Sequence, residues 1–131
     1  MKESQFWKIL KKATDHRVHW MRLESWSMAG LPDLHGIVEG VEFWAELKIA
    51  RGSRVVLSPH QISWLTKRWR LGGRAVIIIY TPSDCLTSVY SGDQAKDIAT
   101  LGVKVAPLYR APLAVYDDDL INAILECPTS K

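Results

Sequence analysis

Residues 33–38 and 41–49 form two runs separated only by Glu39-Gly40, and few backbone solutions accommodate them. Glycine at the second turn position accepts positive φ without steric cost, so the dipeptide reads as a tight hairpin turn, although Glu-Gly is a weaker signal than Asn-Gly. Counting outward from the turn, Val38 faces Val41, Gly36 faces Phe43, Leu34 faces Ala45 and Asp33 faces Glu46. Side chains alternate along a strand. Val41, Phe43, Ala45, Leu47 and Ile49 therefore line one apolar face, and Glu42, Trp44, Glu46 and Lys48 line the other.

This register sets two carboxylates opposite one another. Directly opposed residues have Cβ atoms roughly 5 Å apart, and like charges there destabilise a sheet. A divalent cation offsets the repulsion: Mg²⁺ takes hard oxygen ligands, commonly one or two carboxylates with waters and a substrate phosphate. Lys48 projects from the same face as Glu46 and is placed to stabilise an attacking water or the charge developing on a phosphoryl group. A Glu-x-Lys triplet alone describes many ordinary solvated ion pairs. The acid at the paired position, introduced by Gly30-Leu31-Pro32-Asp33, is what separates this arrangement from them.

The rest of the chain supplies a frame for such a hairpin. Residues 3–13 place Phe6, Ile9, Leu10 and Ala13 at helical spacing, predicting an amphipathic helix. Residues 17–24 alternate loosely and predict a first strand, ended by a loop over 25–30. A second helix is predicted over 59–71, with Ser58 as N-cap, Pro59 in its first turn and Gly72-Gly73 as its stop. Residues 75–80, Ala-Val-Ile-Ile-Ile-Tyr, form a continuous β-branched run of the kind buried on both faces, hence a central strand. Beyond it the pattern predicts strands over 87–91 and 103–109, a short helix over 93–101 and a closing helix over 117–125. The expected fold class is α/β, a mixed central sheet flanked by helices.

With 131 residues, 47% of them hydrophobic, the chain suits one domain over 1–127, leaving 128–131 as a frayed tail. No stretch approaches the ~18 apolar residues of a membrane span, and the N-terminus lacks the order of a signal peptide, so a cytoplasmic protein is expected. Cys85 and Cys127 stand far apart without metal-site spacing, which argues against a disulfide framework or a structural zinc site. The net charge of +3 is compatible with a polyanionic partner but does not identify one.

Three segments together resemble a known family: Gly30-Leu31-Pro32-Asp33, Phe43-Trp44-Ala45-Glu46-Leu47-Lys48, and Leu57-Ser58-Pro59-His60-Gln61-Ile62-Ser63-Trp64-Leu65. They look like the successive motifs of the VRR-NUC branch of the PD-(D/E)XK nucleases, particularly its short stand-alone phage and bacterial versions, over residues 3–80. The resemblance implies a restriction-endonuclease-like αβββαβ core and Mg²⁺ or Mn²⁺ as cofactor. It implies that Asp33, Glu46 and the backbone carbonyl of Leu47 bind the metal, that Lys48 assists hydrolysis, and that Gln61 completes the site. It implies DNA cleavage leaving 5′-phosphates, with a structure-selective, Holliday junction resolvase-like action on branched DNA by a homodimer in a bacterial or phage-infected cell. A catalytically inactive DNA-binding module of the same fold and a sequence-specific restriction-type enzyme are the competing expectations.

Several residues carry two readings. A helical acid near the N-terminus also belongs to the resemblance; Glu3 is the candidate, with Glu24 its competitor, while Glu3 equally suits the helix dipole. Gln61 fits an S-x-x-Q capping box with Ser58 as well as a catalytic position. Arg51 and Arg54 sit in a loop beside the catalytic strand, and Lys67, Arg68, Arg70 and Arg74 gather near the end of the second helix. Either group suits DNA phosphates, the second being equally explained as a solvated helix end. His35 and His60 read as surface or hydrogen-bonding residues rather than ligands. Trp7, Trp64 and Trp69 read as core, whereas Trp44 shares the acidic face.

Overall fold

At the tip of the hairpin both turn residues adopt positive φ, Glu39 at 51° and Gly40 at 76°. This turn geometry matches the right-handed twist of the strands it joins. In the computed structural model, which describes residues 1–23 and 28–131, the turn connects β2 (Leu34–Val38) to β3 (Val41–Ile49). The register runs from Val38↔Val41 to Leu34↔Ala45, as the outward count predicts, and Asp33 lies one residue before the paired segment. On the outer side of β2 lies β1 (His19–Arg22), antiparallel to it.

On the other side of β3 the chain must cross over. A parallel neighbour cannot be reached by a tight turn, and α2 (Pro59–Arg70) makes the connection to β4 (Ala75–Thr81), which pairs parallel to β3. The start of α2 is held as its sequence dictates. Ser58 Oγ accepts from the Gln61 amide at 3.1 Å, and Gln61 Oε1 accepts from the Ser58 amide at 3.0 Å. Two antiparallel strands follow, β5 (Leu86–Ser91) and β6 (Tyr109–Ala111). The six strands lie in the sheet in chain order.

α1 (Glu3–Thr14) and α4 (Asp118–Leu125) cover one face of the sheet, over a core that includes Phe6, Leu10, Phe43, Ala45, Leu47, Ile78 and Leu120. α2 and α3 (Ala95–Leu101) cover the other, over Leu65, Ile77, Ile79, Tyr90 and Ile98. The two faces are fed by alternate residues of the β4 run, each large side chain contributing about 1.5 to 3 kcal/mol on burial. The face carrying Glu46 is therefore covered by helix rather than open to solvent, and Glu46 is only 1% exposed.

Two expectations are corrected, the strand over 103–109 and the burial of three tryptophans, and two others gain detail. Residues 103–109 are not a strand. Gly102–Lys104 is a 3₁₀ turn, because Gly102 at φ 63° directs the Val103 amide to Ser53 O, 2.8 Å away; the ladder begins only at Tyr109. The apolar spacing of Val103 and Val105 reflects packing on the second core. The helix expected over 93–101 opens with a 3₁₀ turn, Gly92–Gln94, and is α-helical only from Ala95. The C-terminal residues, expected as a frayed tail, meet α2 through two hydrogen bonds: Ser130 Oγ donates to Trp69 O at 2.7 Å, and Trp69 Nε1 donates to Pro128 O at 3.0 Å. Trp7, Trp64 and Trp69 are half-buried rather than core, since each lies at the edge of a helix contact. Among the described residues no helix is long and apolar enough to cross a membrane.

Candidate active site

Asp33 is placed by contacts on both sides of its own chain. Its carbonyl accepts from the Leu23 amide at 2.8 Å, and its carboxylate Oδ2 accepts from the Leu47 amide at 2.8 Å. The latter bond carries the hairpin ladder one step past the end of β2 and sets the carboxylate beside Glu46. The loop before it is seated on α2. Gly30 has φ 83°, and a Cβ there would lie 2.3 Å from the His60 carbonyl oxygen. Only glycine fits that approach, and it brings the Asp33 loop against the helix turn that bears Gln61.

Glu46 is the buried centre. Its Oε2 lies 3.6 Å from Lys48 Nζ and accepts from Gln61 Nε2 at 3.3 Å. Its Oε1 is buried and has no hydrogen-bond partner. Desolvation, then the charge of Asp33 and the hydrogen bond with it, push the Glu46 carboxyl up to about 9; Lys48 opposes this, and Glu3 adds slightly to it. Gln61 thus makes both contacts between which sequence reasoning had to choose, since its carbonyl end caps α2 while its amino end reaches Glu46.

Glu3, in the first turn of α1, shares an open concavity with Lys48, Arg51 and Arg54. Partial desolvation raises its pKa, with Lys48 lowering and Asp33 raising it. It stands at the rim, not among the hydrogen bonds around Glu46. Glu24 lies outside the described residues. Arg51 and Arg54 exchange backbone hydrogen bonds of 2.8 and 3.0 Å, and their exposed side chains border the same concavity. Their loop is pinned through Ser53 to Gly102, where a Cβ would lie 1.7 Å from Ser53 O.

Lys67 and Arg68 border a separate concavity with Trp64 and Gly72. Arg74 leaves the basic cluster altogether, donating to the carbonyls of Ile124 and Cys127 at the end of α4. His60 is exposed, and His35 pairs with Glu42 at 3.2 Å and lies tilted against Trp44; neither joins the acid pair. Sequence reasoning missed the aromatic group of His35, Trp44 and Trp64 with Arg68. The only signal for it was the presence of Trp44 on the acidic face.

Among the described residues no cluster of three or more His, Cys, Asp and Glu side chains is arranged to hold a metal. Asp33 and Glu46 nevertheless suit a hard divalent ion. An orphaned, buried carboxylate oxygen beside a second carboxylate is a site where a cation both satisfies the acceptor and offsets like charge. Backbone, waters or a phosphate must then supply the remaining ligands.

No family model and no curated protein matches the sequence. Among solved structures, the chain is similar to Hjc, a Holliday junction resolvase from the archaeal hyperthermophile Archaeoglobus fulgidus. The identity is 15%, the TM-score 0.48, and the match covers 67% of this chain and 70% of that one.

Proposed function

We propose that this chain is a metal-dependent nuclease of the PD-(D/E)XK type, of the VRR-NUC branch, that hydrolyses DNA phosphodiesters with Mg²⁺ or Mn²⁺. The observation that carries the reading is Glu46: a carboxylate buried against a second acid, with one oxygen unpartnered and an amine 3.6 Å away. Nothing in packing requires a charged group there, and an uncompensated one is costly.

In this reading Asp33, Glu46 and the Leu47 carbonyl would hold the ion. When bound, it supplies Lewis acidity toward the phosphate and lowers the pKa of a coordinated water. Lys48 orients the attacking water and stabilises the charge developing on phosphorus-bound oxygens. Gln61, fixed at its other end by the helix cap, donates to Glu46 Oε2 and fixes the orientation of that carboxylate. Glu3 adds negative charge at the rim, and Arg51 and Arg54 receive flanking phosphates. Water oxygen bonds to phosphorus as the P–O3′ bond breaks, the proton passes to the departing 3′ oxygen, and a 5′-phosphate remains. The preferred substrate is branched DNA, cut by a homodimer, since one domain carries one site and a symmetric junction needs two cuts. A bacterial or phage-infected cytoplasm is the proposed setting.

The test incubates wild type and Glu46→Ala with branched and linear DNA in Mg²⁺, Mn²⁺ or EDTA. Metal-dependent cutting that falls by at least about 10³-fold in the variant is expected. DNA binding without cutting under any condition refutes it in favour of an inactive binding module.

A further inference from the structure

Trp44, Glu46 and Lys48 occupy one face of β3 in succession. At about 3.3 Å per residue, Trp44 stands roughly 7 Å from Glu46 along β3. Over the Trp44 ring, 5.1 Å from its centroid, lies the guanidinium of Arg68, which is also 4.5 Å from the centroid of Trp64. The two indoles meet edge to face at 5.5 Å, and His35 closes on Trp44 at 4.7 Å. Arg68 comes from the last turn of α2. Its stem passes beside Gly73, where a Cβ would lie 2.7 Å from Arg68 Cδ.

Three other arginines are engaged by protein acceptors: Arg17 by Asp118 and Glu39, Arg74 by the end of α4, Arg110 by Ser88 and Tyr90. Among the described residues Arg68 makes no ion pair and no side-chain hydrogen bond; the two indoles alone hold it. Aromatic contact removes rotamer freedom from a guanidinium without consuming its N–H donors. The result is a half-buried, oriented cation with donors to spare, on the face that carries the acid pair, and with exposed Lys67 beside it. A helix-dipole role explains a cation in the last turn, but not one set against two rings from different elements.

We infer that Arg68 is a preorganised anchor for a backbone phosphate of the bound DNA, outside the phosphate being cut. Arg51 and Arg54 lie past the opposite end of β3, on a separate concavity. The anchor rests on the nuclease reading for its substrate and recognises phosphate regardless of base.

The test measures binding of the full chain to labelled branched and linear DNA of unrelated sequences, in EDTA, across a salt series. Arg68→Gln, which keeps the stem, is expected to weaken binding roughly tenfold on every sequence. It is also expected to lower the slope of log K against log salt by about 0.9. Arg68→Lys retains the slope but binds more weakly than wild type, because an ammonium does not reproduce the planar stack. Wild-type affinity and slope in Arg68→Gln overturn the inference, and so does wild-type affinity in Arg68→Lys should the first variant unfold. Arg68-dependent binding without any cleavage sinks the nuclease reading alone; cleavage with Arg68-independent binding sinks the anchor alone; absence of DNA binding sinks both.

Discussion

Glu46 shows how one side chain trades stability for a site. Its carboxyl is pushed up to about 9 by burial and by Asp33, whereas the unfolded chain ionises near the ordinary glutamate value of about 4.3. The folded state therefore holds this proton more tightly than the unfolded one. The associated stability is complete below about pH 4.3 and is lost progressively as pH rises toward 9. In EDTA, Glu46→Gln is expected to be more stable than wild type by about 2 kcal/mol at pH 8.5, with the gap shrinking toward pH 5. Denaturant midpoints at both pH values measure this, and equal midpoints at pH 8.5 would show that the carboxylate is compensated without metal. The identity and pairing of this residue were legible in the strand alternation. Its burial was not, because α2 and α3, which cover its face, arrive from later in the chain.

At the level of elements, the helix cap and the Asp33 loop form one device. Gly30 seats the loop on the first turn of α2, and Gln61 joins that turn to Glu46. Gly30→Ala introduces a Cβ 2.3 Å from the His60 oxygen at φ 83°, a contact that separates loop from helix. A loss of about 2 kcal/mol in stability is expected, together with a larger fractional loss of cleavage than that instability explains. Thermal unfolding beside single-turnover rates at low temperature checks both; wild-type values in each would show that the loop is not seated there. The ends of α2 were readable because capping is chemistry between residues three apart. The strand expected over 103–109 was misplaced for the opposite reason. Val103 and Val105 carry strand-like spacing, but their backbone is claimed by Ser53, some fifty residues earlier, and by the left-handed turn at Gly102.

For the whole molecule, the proposed pairing of two sites on a branched substrate makes oligomeric state the relevant observable. Sedimentation of the full chain is expected to give a dimer at the concentrations at which branched DNA is cut symmetrically; a monomer that still makes paired cuts would rule the arrangement out. By itself, the amino-acid order specified the hairpin register, the acid pair it creates, the limits of α2 and the central place of β4, because alternation, turn chemistry and capping all act over a few residues. Tertiary structure decided that the acid face is covered, that Gln61 serves cap and site together, that Arg68 is set against two indoles while Arg74 is drawn off to α4, and that the tail lies against α2. Each of these depends on which distant surfaces meet, and desolvation and stacking exist only once they have met.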